Sequence, residues 1–364
     1  MTTPKTAITG FPRIGEQREL KKALENYWEG KIDLLQLMNI SFQLRKKHWL
    51  VQKEKGIDLI SINDFSWYDN MLDTALMLHA IPDRFKNIKD KTERYFAMAK
   101  GNKNCTALEM TKWFNTNYHY LVPELSEEDQ YKPDLSKIIS EYLEAKECGI
   151  DNPKINIIGP ITFLGLSKHK NKGSDTFVFI DKILPVYKKI IQEISLLDDV
   201  VYLQIEEPLF VKNLHDRILS LIPGTYERLN SVAKNVRIIF TTYFEHSLEA
   251  VKQLAEIPLW GISLDFVYGK ENLNALEFLN CKKLIAGIVD SRNIWINNIE
   301  ESLNLLEEIS KVFRKEDIIV STSCSLLHVP YSSKSENHLD PEYLNLLSFA
   351  SEKLDEIMLI SRIF

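Results

Sequence analysis

The stretch Glu109–Glu124, EMTKWFNTNYHYLVPE, sets Trp113, Phe114, Tyr118, His119 and Tyr120 around Asn115, Thr116 and Asn117. One cation, Lys112, stands at its head beside flat aromatic surface. Such a pairing suits an anionic ligand that also has an apolar or aromatic part. The plainer alternative is that the rings close one end of a core while Lys112 is solvated. The run has neither a helical nor a strand period, so it is expected to be an ordered, functional loop rather than a regular element.

Cys324 is the second residue with chemical potential, because it follows an apolar run where a metal or substrate could reach it. A catalytic zinc needs about three protein ligands. The ends of neighbouring runs offer Thr241, Tyr243 and Asp265, with His328 just past the cysteine. A hydroxyl and a phenol are poor zinc ligands beside thiolate and imidazole. Cys324 therefore reads as a small buried thiol, and neither a metal ligand nor a catalytic residue is expected in this chain. Asp265, Asp290 and Arg292 could form a structural ion network. Glu206 and Glu207 are adjacent, so on a strand they point to opposite faces. No nucleophile elbow, P-loop or His-Glu-x-x-His helix is present.

The elements that must carry these residues are short apolar runs separated by helical patterns. The runs are Thr6–Gly10, Leu59–Asn63, Ile155–Gly159, Val200–Ile205, Val236–Thr241, Trp260–Leu264, Leu284–Val289 and Ile318–Thr322. Most are continuous rather than alternating, which predicts parallel strands covered on both faces. Eight such runs with helices between them predict an α/β fold, a (β/α)8 TIM barrel. A doubly wound open sheet competes, but no Gly-x-Gly-x-x-Gly turn follows any run. Long insertions are expected after strands 1 and 2, and loops of that size on a barrel are usually functional. The first holds helices over Arg18–Trp28 and from about Leu34 to Glu54. The second holds the aromatic stretch, a helix near Asp69–Leu78 and one from about Pro133 to Cys148. The polar ends of the runs would all reach one face, where active sites of this fold are built.

Composition narrows the partners. An apolar content of 45% and a charged content of 26% belong to a soluble globular protein. A formal charge of −6 argues against a nucleic-acid partner. Cys105, Cys148, Cys281 and Cys324 lie far apart and suit a reducing cytoplasm. The N-terminus lacks the apolar core of a signal peptide, and no apolar run approaches a membrane span. A cytoplasmic location with no membrane partner is the expectation.

GFPRIG followed by Arg18-Glu19-Leu20-Lys21, then DFSWYD, EMTKWFNTNYHYLVPE, IEEP, TTYFE and STSCSLLH together resemble cobalamin-independent methionine synthase, the 5-methyltetrahydropteroyltriglutamate–homocysteine methyltransferase family. The resemblance runs from about residue 9 to the end and covers the N-terminal barrel of a two-barrel enzyme. It implies that residues 1–364 form one TIM-barrel domain, and that the zinc and homocysteine sites lie in a C-terminal barrel absent here. Zinc would belong to the whole enzyme and none to this chain, which alone would be inactive. Aligned with the second barrel, the zinc-ligand positions would fall near Thr241, Tyr243, Asp265 and Cys324. The resemblance further implies that Arg18, Glu19, Leu20, Lys21 and Lys112 contact the folate's polyglutamate tail. Arg18, Lys21 and Lys112 would bind carboxylates, whereas Glu19 and Leu20 would act through backbone or packing. At a helix start the segment also offers amide N–H groups to an anion. The partners implied are 5-methyltetrahydropteroyltriglutamate and the second barrel. A free-standing, non-catalytic barrel that binds folate or another anion, or acts as a scaffold, is the alternative.

Overall fold

The computed structural model describes residues 5–336 and 338–364. Seven strands form one parallel sheet in the order Ile60–Ile62 (β2), Pro153–Ile158 (β3), Val201–Glu206 (β4), Val236–Thr241 (β5), Leu259–Asp265 (β6), Cys281–Val289 (β7) and Ile318–Thr322 (β8). Residues 6–7 (β1) close the ring by bridging its two edges, Thr6 to Val320 and Ala7 to Leu59. The Ala7 amide donates to Val320 O at 3.0 Å and the Leu59 amide to Thr6 O at 3.2 Å. Helices cover the outside, so the strands are buried on both faces and need no polar alternation. That explains why continuous apolar runs located them.

The interior is apolar at one end and polar at the other. Ala7, Tyr202, Ile239, Ile285 and Ile319, from five different strands, pack with Leu59, which leads into β2, in one buried cluster. Only the inside of a closed barrel brings them together. Because strand side chains alternate, the next inward positions are Thr9, Ser61, Lys154, Asn156, Gln204, Glu206 and Thr241, all buried. Interiors of this fold are ordinarily filled by branched apolar residues. The polar filling lies toward the C-terminal ends of the strands.

Both segments expected as insertions hold the helices foreseen, with shifted ends. The first runs over Glu19–Trp28 rather than from Arg18, which sits in the left-handed region at φ 59°. The second spans Leu34–Lys55 and starts with a reciprocal cap, where Asp33 Oδ1 accepts from the Gln36 amide and Gln36 Oε1 from the Asp33 amide. It ends at Gly56 with φ 95°, a conformation that favours glycine. Helices over Asn70–Met77 and Ser136–Glu147 complete the set.

The aromatic stretch is not an irregular loop. Met110–Lys112 pairs antiparallel with His119–Leu121, and the Trp113 amide donates to Tyr118 O at 2.8 Å to close a hairpin. The alternation was hidden because the rings crowd the turn rather than one strand face. Thr116 Oγ1 donates to Trp113 O at 2.6 Å within that turn. Buried Asp69 fastens the hairpin to the barrel: one oxygen caps Met71 and Leu72, and the other accepts from the Leu121 amide at 3.1 Å.

His48, on the Leu34–Lys55 helix, is 4% exposed and lies among the rings of Phe11, Phe65 and Tyr331. Burial pushes its pKa down to about 3, aided by Lys47 and Arg45. The unfolded chain therefore takes up a proton from about pH 6.5 downward while the folded chain does not, so stability falls with pH in that window. His48→Phe is expected to recover about 2 kcal/mol of the stability lost between about pH 6.5 and 4.5. Urea midpoints of both proteins at the two pH values measure it, and parallel losses would rule the histidine out.

Candidate functional site

The C-terminal ends of the strands carry the site. Glu206 and Glu207 face opposite ways, as their adjacency requires. Glu206 points inward, accepting from Gln204 Nε2 at 2.8 Å and from the Tyr243 hydroxyl at 2.7 Å. Glu207 points outward and is fully buried, bonding the Ile161 amide at 2.9 Å, the Thr162 amide and the Tyr226 hydroxyl. It fixes the turn after β3, and Gly159 makes room for it: a Cβ there would lie 2.2 Å from Glu207 Oε1. Gly159→Ala should therefore cost about 2–3 kcal/mol in a chemical-denaturation experiment, since a buried carboxylate must move. An unchanged midpoint would show that the turn relaxes freely.

Below Glu206 lies the buried Lys154. Its ammonium donates to Asn156 Oδ1 at 2.8 Å and to Gln204 Oε1. Asn156 and Gln204 both donate onward to Thr9 O, at 2.6 and 2.9 Å. Burial pushes Lys154 down, opposed by Glu206 and Asp64. Asp64 accepts from the Phe11 amide at 2.8 Å, and burial pushes its carboxyl up to about 7. Sequence reading missed this layer because it began β3 at Ile155. The Lys154-Ile155-Asn156 alternation was the available signal.

The hairpin lies across this mouth. Trp113 is 2% exposed and meets Phe114 and Tyr120 edge-on, with centroids 5.2 and 5.5 Å away. Phe114 reaches Phe244 at 5.5 Å, and Tyr118 reaches His328 at 6.5 Å. Under the hairpin is a cavity of ≈ 400 Å³, bounded by Thr9–Gly10 and Arg13, by Asp64–Trp67, by Trp113 and Tyr118, and by Glu206 and His328. Burial pushes His328 down to about 4, so its imidazole is neutral there at neutral pH. GFPRIG, DFSWYD, the hairpin and STSCSLLH thus meet in one place. Arg13 went unnoticed in the sequence. It joins the first two motifs by donating from Nη1 to Ser66 O at 3.0 Å, and its guanidinium is 5.9 Å from the Tyr118 ring.

The residues expected to bind the tail fall on two separate elements. Lys112 is exposed on the hairpin; Arg18, just before the first helix, and Lys21, within it, are also exposed, with Lys21 standing 3.8 Å from Glu25. No hydrogen bond or ion pair among the described residues links Lys112 to Arg18 or Lys21. Leu20, expected to act through backbone or packing, has its side chain fully buried in the core beside this helix, and its amide donates to Ile14 O at 3.0 Å. Glu19 turns back to accept from the Gln17 amide at 2.8 Å. The amides imagined free for an anion are thus partly engaged, since the chain caps its own helix.

The expected ion network at the mouth is also replaced. Asp265 is buried and accepts three backbone amides, from Phe244, Val267 and Tyr268, at 2.9–3.1 Å. Burial lifts its carboxyl to about 7 against those bonds. Asp290 bonds the Tyr268 hydroxyl and Asn293. Arg292 instead donates to Asn115 Oδ1 at 2.9 Å. Cys324 is fully buried, with its sulfur 3.2 Å from Ser291 Oγ, and burial pushes its thiol up. Tyr243 is engaged with Glu206, so Thr241, Tyr243, Asp265 and Cys324 do not suit zinc: two are weak donors and Asp265 is saturated by amides. Among the described residues, no three His, Cys, Asp or Glu side chains converge as a metal would require. Among them also, no helix is long and apolar enough to cross a membrane.

A parallel barrel with a polar upper interior and a partly roofed cavity at the C-terminal mouth is a ligand-handling (β/α)8 domain. Residues 5–314 match the family described as "Cobalamin-independent synthase, N-terminal domain", and the chain belongs to that family. A 5-methyltetrahydropteroyltriglutamate–homocysteine methyltransferase from Desulforamulus reducens is 56% identical over 363 residues, covering 100% of this chain and 47% of that protein. One of the same name from Streptococcus agalactiae is 42% identical over 366 residues, covering 99% and 48%. The chain thus spans about half the length of the curated relatives it matches. A B12-independent methionine synthase structure from Shewanella sp. W3-18-1 superposes with a TM-score of 0.69 at 15% identity, covering 92% of this chain and 90% of that one. The structure described as "Putative Vitamin-B12 Independent Methionine Synthase from Listeria monocytogenes" gives 0.69 at 13%, covering 100% and 98%. At those identities the likeness concerns the fold.

Proposed function

We propose that this chain is the N-terminal barrel of a two-barrel methyltransferase and holds the polyglutamate tail of 5-methyltetrahydropteroyltriglutamate. The whole enzyme moves the folate's methyl group to homocysteine and makes methionine. One observation carries the reading: the Glu-Met-Thr-Lys-Trp stretch forms a hairpin across the barrel mouth, with Trp113 buried as its anchor and Lys112 exposed beside it. Lys112 and, from the first helix, Arg18 and Lys21 supply the cations, which charge-assisted bonds to the tail's carboxylates would engage. Glu19 and Leu20 serve by fixing the backbone that presents them. In this reading the folate's methyl C–N bond breaks as the C–S bond to the homocysteine thiolate, held in the second barrel, forms, and the departing nitrogen takes up a proton from water. Zinc, where bound in that half, lowers the thiol pKa. The reaction belongs to the cytoplasm, where folate and homocysteine are both available.

On this reading the 364-residue chain alone turns over no substrate and takes up no stoichiometric zinc. The test is an assay for methyl transfer with and without a separately produced second half, alongside metal analysis of protein purified without chelator. Turnover only in the mixture supports the proposal. One tightly bound zinc per chain, lost on Cys324→Ala, would overturn it.

A further inference from the structure

Two cations hold the turn of the hairpin that the motif resemblance does not assign. Lys212 Nζ stands 5.0 Å from the centroid of the Phe114 ring. Arg292 bonds Asn115, and its guanidinium is 5.0 Å from both the Phe244 and the Tyr268 rings. Lys112 precedes Phe114 by two residues, in the last strand pair before the same turn. None of them forms an ion pair among the described residues, whereas Lys168, Lys170 and Arg217 all do. The acidic group nearest in the chain to Arg292 is Asp290, which is occupied by the Arg292 amide, Asn293 and Tyr268. Asp265 is likewise turned to backbone amides.

The geometry of the turn is also costly. Phe114 and Phe244, whose rings touch, have φ of 53° and 93°, in the left-handed region that residues with a Cβ avoid. Strained backbone on both sides of one contact keeps the rings under the cations. A guanidinium that lies against ring faces keeps the N–H groups of its edge available, and those are the groups that bind a carboxylate in pairs. Here one of them is used by Asn115.

We propose that Lys112, Lys212 and Arg292 form one anion subsite around the hairpin turn, which takes carboxylates of the polyglutamate tail. This rests on the tail-binding reading given above. It extends tail binding toward the ends of β4 and β7 and away from the first helix.

The test titrates triglutamyl 5-methyltetrahydrofolate into the 364-residue chain and its variants, with melting curves to check folding. Arg292→Gln is expected to weaken binding about tenfold and Lys212→Ala about threefold. Arg292→Lys should recover part of the loss. Asn115→Ala, which cuts the contact without removing charge, should stay within about twofold of wild type. Lys212→Glu, on an exposed side chain, carries the test if Arg292→Gln fails to fold. If Lys112→Ala weakens the ligand while the Lys212 and Arg292 variants do not, the subsite is wrong and the tail reading stands. If Lys112→Ala has no effect either, both fall. Equal losses from Asn115→Ala and Arg292→Gln would reduce Arg292 to a support for the hairpin and overturn its place in the subsite.

Discussion

Lys112→Ala is expected to weaken triglutamyl 5-methyltetrahydrofolate by about tenfold to a hundredfold, and the monoglutamyl form by no more than about threefold. The asymmetry follows from what Lys112 can touch. It is an exposed point charge on a hairpin edge, outside the buried cluster that Trp113 enters. A charged hydrogen bond to a carboxylate is worth roughly 1.5–3 kcal/mol, and that carboxylate exists only on the longer ligand. Exposure also means screening, so the penalty should shrink as salt rises. Paired titrations of both ligands, with and without added salt, measure it. Equal weakening of the two forms would move Lys112 from the tail to the pterin end or to the fold itself.

Trp113→Ala is expected to cost about 3–5 kcal/mol of folding stability, the range for losing a buried large ring. The indole is 2% exposed and touches Phe114 and Tyr120 edge-on, and Tyr120 donates its hydroxyl to Leu166 O at 3.1 Å. Removing it leaves a hole between hairpin and barrel that these neighbours cannot close without breaking other contacts. Trp113→Phe keeps part of the ring packing and should cost less than half as much. Urea denaturation of the three proteins gives the values. A loss below about 1 kcal/mol for the alanine variant would mean that the hairpin is held by its backbone pairing and by Asp69 rather than by its rings.

The helix boundaries show how far local signals reach. Asp33 with Gln36, and Gly56 at the other end, are short-range capping signals, and the helix between them lies where they put it. The barrel strands were equally legible, since burial on both faces leaves continuous apolar runs. The hairpin was not. Its rings serve a turn that packs on Phe244 and His328, far away in the chain, and no local period records that.

The sequence by itself determined the eight strands, the helices between them, the motif that carries Lys112 and Trp113, and the opposed faces of Glu206 and Glu207. These depend on residue type and on spacings of a few residues, where sterics and hydrogen bonding are local. Only the tertiary structure decided that Lys154, Gln204 and Glu206 form a buried polar layer, that Asp265 is consumed by three amides, and that Lys212 and Arg292 stand at the hairpin turn. Each of those depends on which groups compete for the same partner once burial has removed water. Desolvation makes a buried carboxylate take the nearest amides. Such choices are settled between residues tens or hundreds of positions apart, by closure of the barrel.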